Sequence, residues 1–442
     1  MTERLGICWT LAAIAAVLLV LCGFGAAALW RGDHATVALI ELVQTPFYGI
    51  AAWLVVMRPS SAPAASARAL VSILLVGVAM RLIALPCPPA SNDIYRYVWD
   101  GRVQAAGINP YRYLPADDAL APLRDQAIYP NMNRTGYAPT IYPPAAQLVF
   151  WAATRISETT TFMKAVMVGF EGLAVWAILQ LLAARGLPAT RILLYAWHPL
   201  PLWEFSGSGH ADAIAIAFLL IGFVAVDRRS PILAGMALGA GALVKYFPVV
   251  AGPAMYKRWD WRLPAAFAAS VAILYLPYLG GGIKVFGFLG GYVAEEGLEQ
   301  GGGIFLWQLA GNFFRLPDRA LPFYLPIAAA LLAALALGAI FLRREPKADI
   351  AAALVLAVVF MVLFSPHYPW YFAWLIPLVC ILPVAGVIYL TCAAIYLHIA
   401  PWPAGVADGL LIYGSCALIL LGEFLIHRHR RKEAGHGRAV PA

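Results

Sequence analysis

Charge is scarce in this chain of 442 residues, with Asp, Glu, Lys and Arg together making up 12%, about half of the roughly 25% found in soluble domains. Hydrophobic residues make up 62%, and the mean hydropathy is +0.76. A soluble globule of this composition would expose too much apolar surface to stay dissolved, which excludes ordinary cytosolic enzymes, secreted scaffolds and disordered regulators. Cysteine is also sparse: there are six, and five of them (Cys8, Cys22, Cys380, Cys392 and Cys416) lie in apolar runs, so no disulfide framework is implied. The chain has no phosphate-binding glycine loop with its Lys-Ser/Thr, no HExxH, no paired CxxC and no GxSxG. ATP-driven transport, zinc hydrolysis and serine-hydrolase chemistry therefore lack their residues.

What the chain does have is a succession of apolar runs at 7–30, 36–57, 68–86, 161–184, 189–205, 211–226, 231–255, 263–280, 322–342, 348–364, 369–384, 385–400 and 408–426. They predict an all-α polytopic membrane protein with about 12–13 membrane helices. The run 7–30 lacks a persuasive cleavage site and reads as a retained helix rather than a signal peptide. The net charge of +8 sits in short connecting loops and in the tail from His427 to Lys432, which by the positive-inside rule belong on the cytoplasmic side. No nucleic acid is implied. Run 231–255 carries basic residues at both ends and Pro248 inside, so it is expected to enter the membrane, break and return. Residues 143–157 read as a short interfacial helix on the outer side. Two large outer segments follow, 87–160 and 281–321, within a single membrane domain spanning 1–426, with a basic cytoplasmic tail at 427–442.

Four constellations could carry chemistry. The strongest runs from Ser91 to Arg102 and on to Gly107-Ile-Asn-Pro-Tyr111. Asp93 and Asp100 are seven residues apart and share one face of a helix, flanked by Arg96 and Arg102 among Tyr95, Tyr97 and Trp99. A carboxylate among aromatics that can stack on a sugar suits general-base activation of a hydroxyl. The competing reading is an interfacial helix anchored by its aromatics.

The second constellation places His198, Glu204, His210 and Asp212 around the outer end of a membrane helix. Helix capping would explain Asp212, but not His198 or Glu204. The third consists of cations inside apolar runs, Arg81 and Lys245, which could hold an anionic phosphate; snorkelling is the alternative for Arg81. In the fourth, Ser365-Pro-His-Tyr-Pro-Trp-Tyr371, His367 could bond a phosphate oxygen while Tyr368, Trp370 and Tyr371 line a lipid or sugar path. An aromatic belt is the plainer account.

The order of these pieces resembles the GT-C superfamily of membrane glycosyltransferases. Within it the chain looks most like the catalytic subunit of GPI mannosyltransferase I and related bacterial polyprenyl-phosphate-mannose-dependent mannosyltransferases. The matching stretches are Asp93–Asp100, Gly107–Tyr111, Tyr142–Pro144, His198–Pro201, Gly209–Asp212, Lys245–Pro248 and Ser365–Tyr368. Two departures stand out: Asn92-Asp93 replaces the family's Asp-x-Asp, and two extra apolar helices precede the first outer loop.

The resemblance implies a polyprenyl phosphate sugar donor, most simply mannose, an inverted product, and a lipid- or glycan-linked acceptor. On this reading Asp93 or Asp100 is the base. Lys245, Arg81 and His367 meet the donor phosphate, while Tyr95, Arg96, Arg102, Asn109, Tyr111, His210, Asp212 and Tyr368 bind substrate. Glu295, Glu296 and Glu299 in the second outer loop could receive a polar acceptor or form a solvated face. No cofactor is required; a divalent metal is left open and unsupported. The high Ala and Arg content points to a bacterial cytoplasmic membrane, with the site facing the periplasm and the C-terminus cytoplasmic. A carrier of polyprenyl-linked sugars is the alternative function, but it should gather its ionisable residues at mid-membrane, whereas these carboxylates sit in an outer loop. A noncatalytic assembly subunit is a third reading.

Overall fold

The computed structural model describes residues 2–57, 63–288, 291, 294–295, 301–314, 321–342 and 347–436. Among them there is no strand. Helices α1 (Thr2–Trp30), α2 (His34–Met57) and α3 (Pro63–Ala84) open the chain, α1 and α2 joined by a short turn. Two shorter helices come next, α4 (Asp93–Ala105) and α5 (Pro144–Thr154), then the long α6 (Thr160–Ala184). A short helix expected over 143–157 forms as α5, with Pro144 at its first position, where a missing N–H costs nothing.

Among the described residues seven helices are long and apolar enough to cross a membrane, including Cys8–Trp30, His34–Met57, Thr160–Ala184 and Leu321–Leu342. The other apolar runs form shorter or broken helices, for local reasons. Run 189–205 is interrupted at Pro199 and Pro201 and loosens into a π-helical turn over Leu202–Gly207. Such turns recur at functional sites because they re-aim side chains, and this one carries Glu204. The segment is wholly buried. Tyr48 Oη of α2 donates to Leu194 O (2.9 Å), and Trp203 Nε1 donates to Gln44 Oε1 (2.8 Å).

Helix α7 (Asp212–Asp227) leads into α8 (Pro231–Ala242). After α8 the chain breaks at Leu243–Tyr246 and resumes as short helical turns at Phe247–Ala251 and Gly252–Met255. The break falls a few residues before Pro248, because a proline removes a donor and disfavours helix at the residue preceding it. The freed Leu243 carbonyl is used: Ala145 N and Ala146 N, at the start of α5, donate to it at 2.9 and 3.2 Å. One helix's open N-terminus therefore satisfies another's open C-terminus.

Both ends of this segment lie at one face of the molecule. Arg185 Nη1 pairs with Asp227 just before α8, Arg185 Nη2 donates to Ala348 O (3.1 Å), and Asp349 N donates to Ala254 O (3.0 Å). The tip meets the start of α5. Helices α9 (Arg262–Tyr275), α10 (Leu321–Leu342), α11 (Ile350–Phe364), α12 (Ala385–Ala393) and α13 (Ser415–His436) follow, with shorter helical segments between them.

Candidate active site

The break before Pro248 places Lys245 beside the first turn of α7, where its Nζ lies 3.0 Å from Asp212 Oδ2. Asp212 is completely buried, and among the described residues neither of its carboxylate oxygens has an aligned hydrogen-bond donor. The contact is thus an ion pair holding a buried carboxylate. Such a pair is costly to break from one side, because the partner is left charged in a poor solvent. Lys245 also sits 4.8 Å from the ring centre of Tyr371, a cation–π distance.

Around this pair opens a cavity of about 400 Å³. Asp93 enters at the N-terminus of α4, its side chain 17% exposed, where a carboxylate also suits the helix dipole. Asn133 Nδ2 donates to Asp93 Oδ1 at 2.8 Å, and Arg134 Nη1 lies 4.0 Å from the same oxygen. Arg134 Nε in turn donates to Glu295 Oε2 at 2.8 Å. Burial opposes the Arg134 charge, but the bond to Glu295 and the nearby Asp93 more than compensate and raise its pKa. His367 and Tyr368 line the far wall. They follow Ser365, which ends α11 in the left-handed region at φ 42°; its Oγ accepts from Phe305 N (3.1 Å) and donates to Val362 O (3.0 Å). The His367 ring packs 4.1 Å from Trp402, and Tyr368 stacks on Trp370 at 4.5 Å. The rest of the lining is largely apolar, with Phe360, Phe364, Trp374, Val244 and Phe247 among it.

Asp93, Lys245, His367 and Tyr368 therefore come together in one cavity, with Asp212 behind Lys245. His210 stands just behind Asp93, its Nε2 4.0 Å from Asp93 Oδ2. Tyr95 and His210 line a second, adjoining cavity.

The other sequence candidates are placed elsewhere, engaged in holding the scaffold. Asp100, expected to share a reactive face with Asp93, is buried: it accepts from Arg96 Nε (2.9 Å), Thr140 Oγ1 (2.5 Å) and Gln147 Nε2 (2.9 Å). Arg96 also donates to Ala138 O, so this pair ties α4 to the 138–147 segment. Arg102 bridges Asp125 (2.7 Å) and Glu158 (2.9 Å). Asn109 donates to Tyr278 O, and Tyr111 Oη donates to Tyr142 O. Arg81, expected at the donor phosphate, instead pairs with Glu171 at 2.7 Å and donates to Ala196 O at 2.7 Å. A Glu on α6 that looked like one more apolar-helix residue neutralises it. Glu295 serves Arg134 and Tyr137; Glu296 and Glu299 lie outside the described residues.

Sequence reading missed Asn133 and Arg134. They sit in an irregular stretch with no periodicity to mark them, although an Arg in an outer aromatic loop was a usable signal. It also missed Glu41 and His398, which flank Glu204.

Residues 8–260 match the family model described as Alpha-(1->6)-mannopyranosyltransferase, N-terminal domain. The chain belongs to this family. The matched stretch contains Asp93, Arg134, His210, Asp212 and Lys245 and ends before His367. Alpha-(1->6)-mannopyranosyltransferase A of Mycobacterium tuberculosis is 24% identical over 339 residues, covering 69% of this chain and 63% of that protein. The chain thus spans less than two thirds of that relative's length. No solved structure matches it. Among the described residues the carboxylate that lines the cavity shared with Lys245 and His367 is Asp93, and Asn92 and Asn133 line it too. Among the described residues no three His, Cys, Asp or Glu side chains are grouped to hold a metal ion.

Proposed function

We propose that this protein is an integral-membrane mannosyltransferase that moves mannose from a polyprenyl phosphate donor to a hydroxyl of a lipid- or glycan-linked acceptor. The observation that carries this reading is the cavity's polarity. Its lining combines Asp93, Lys245 and His367 with a contiguous set of Phe and Trp rings, Phe247 against Trp374 and Trp374 and Phe364 against Phe360. An amphiphile with a phosphate head and an apolar tail suits such a mixed lining.

In this mechanism Lys245, fixed by Asp212, and His367 face the donor phosphate. Asp93 takes the proton of the acceptor hydroxyl as its oxygen attacks the anomeric carbon from the side opposite the phosphate. The bond from that carbon to the phosphate oxygen breaks, its electron pair leaves with the phosphate, and the product is inverted. The cations stabilise the charge that develops there. No nucleotide is needed, because the phosphosugar bond already supplies the driving force. The basic residues gathered with Arg185, Arg228 and Lys347 would face the cytoplasm with the C-terminus, and the Asp93 end would face the periplasm of a bacterial cell.

The test is transfer by the purified protein in lipid from radiolabelled polyprenyl phosphate mannose to a membrane glycolipid extract. Labelled product supports the reading. Movement of labelled donor across the bilayer without product would favour a carrier.

A further inference from the structure

Behind Asp93, on the side away from the aromatic wall, lies a second cavity of about 460 Å³. Ser91, Asn92 and Trp370 line both cavities, so the two meet at Asp93 and His210. The second is polar where the first is apolar: Glu41, His398, His210, Tyr95 and Asn131 line it.

A ladder of ionisable groups runs along its inner edge, from buried His210 and Glu204 to the partly exposed His398 and then buried Glu41. His210 is 1% exposed, and its Nδ1 lies 2.7 Å from Glu204 Oε2. Glu204 is fully buried, and its other oxygen lies 2.9 Å from His398 Nε2. His398 Nε2 is in turn 3.9 Å from Glu41 Oε2. The backbone supports this geometry: Gly209 adopts φ +83°, and the turn lets His210 N donate to Glu204 O at 2.8 Å. The Trp370 ring covers the imidazole at 4.0 Å.

A carboxylate can only accept, so the proton of a neutral His210 sits on Nδ1 and its lone pair on Nε2. That Nε2 is buried and has no hydrogen-bond partner among the described residues. It faces Asp93 Oδ2 across 4.0 Å, a gap that one water molecule spans. The charged groups around His210 are Glu204 from the π-helical turn and Asp93 from α4, with His398 and Glu41 behind Glu204. Burying an imidazole with one nitrogen oriented by a carboxylate and the other aimed at a reacting carboxylate is the arrangement of a base held in a fixed tautomer. A packing role needs neither the aimed lone pair nor the carboxylate.

We infer that His210 is the second proton-carrying group of this site, positioned by Glu204, and that it clears the proton from Asp93 into the polar cavity. The inference rests on the transfer reaction proposed above. As the new glycosidic bond forms, the hydroxyl proton moves to Asp93 Oδ2 and the phosphate leaves with its electron pair. Asp93 then passes the proton to His210 Nε2, and the imidazolium, steadied by Glu204, releases it to solvent in the second cavity. Asp93 is returned to its charged form for the next turnover.

The experiment uses the full chain in lipid nanodiscs with a short-chain polyprenyl phosphate mannose and a mannosyl-lipid acceptor. His210→Ala should lower kcat by about a hundredfold, within the range for loss of a proton-transfer group, and leave the donor KM within about twofold. Added imidazole should restore turnover, and among substituted imidazoles the restored rate should rise with their pKa. Glu204→Gln should lower kcat about tenfold and shift the acid limb of the kcat–pH profile to lower pH, because the charge favouring the imidazolium is gone. This second variant, with its pH profile, decides the matter if His210→Ala does not fold. An unchanged kcat, or rescue independent of imidazole pKa, would overturn the assignment and leave His210 as packing. A wild-type protein that transfers nothing would reject the mannosyltransferase reading itself; transfer with unmoved variants rejects this inference alone.

Discussion

Lys245 Nζ stands 3.0 Å from Asp212 Oδ2, joining the tip of a broken helical hairpin to the first turn of α7. Neither residue could occupy its place alone. The lysine needs a counter-charge at this depth, and the aspartate, fully buried, needs a cation. The pair fixes where a positive charge meets the cavity that Asp93 also lines.

That relation predicts an asymmetric result. Lys245→Met leaves Asp212 charged and unpaired and should cost about 3–5 kcal/mol of stability, the usual penalty for breaking a buried pair from one side. Lys245→Met with Asp212→Asn should recover most of that loss in a detergent melting assay, yet still bind donor at least tenfold more weakly. Equal donor affinity in the double variant and wild type would remove Lys245 from the donor site.

Asp100 should separate cleanly from Asp93. Its carboxylate is shared among Arg96, Thr140 and Gln147, so Asp100→Ala abandons a buried guanidinium and should lower stability by about 3–5 kcal/mol. Thermal unfolding checks this. Protein that survives purification should retain measurable transfer, whereas an unaltered melting curve with abolished transfer would make Asp100 a reacting group.

Much of the membrane scaffold was legible because a run of about 20 apolar residues has few alternatives. Helices α2, α6 and α10 begin and end within two residues of the runs that predicted them. The break before Pro248 was legible for the same kind of local reason. What could not be read was pairing across the chain. Arg81 looked available for a phosphate because nothing nearby in sequence neutralises it; Glu171 does so from 90 residues away. Asp100 looked like a twin of Asp93 by helical spacing, but Thr140 and Gln147, 40 and 47 residues on, claim it. Lys245 and His367 were legible because an apolar run interrupted by charge and proline has few structural uses.

Gly303 tests how closely His367 is held. At φ +80° it packs so tightly that an added Cβ would fall 1.7 Å from His367 Cε1. Gly303→Ala must displace the imidazole, and should raise the donor KM by about tenfold (1.4 kcal/mol is tenfold) with little change in acceptor KM. Steady-state kinetics with each substrate varied in turn would show this, and an unchanged donor KM would remove His367 from the phosphate's reach.

The outer loop should carry its own pH signature. Burial raises the Asp125 pKa, but hydrogen bonds from Arg102, Ile128 N and Tyr129 N outweigh it and lower it to about 2. A depressed carboxyl stabilises the fold above its unfolded pKa, ~3.9, and loses that contribution as pH falls toward the folded value. Wild type should therefore melt above Asp125→Asn at pH 6, and the two curves should converge between about pH 4 and pH 2. Curves that stay parallel down to pH 2 would show that Asp125 does not stabilise the loop as an ion.

The central claim is that Asp93 is the base of a mannosyl transfer. The direct measurement compares wild type with Asp93→Asn for product formed from polyprenyl phosphate mannose, with melting temperature and donor binding measured on the same samples. The account predicts transfer by wild type, a loss of about a thousandfold or more in the variant, as general-base removal allows, and unchanged folding and donor affinity. Transfer by Asp93→Asn at the wild-type rate would contradict it.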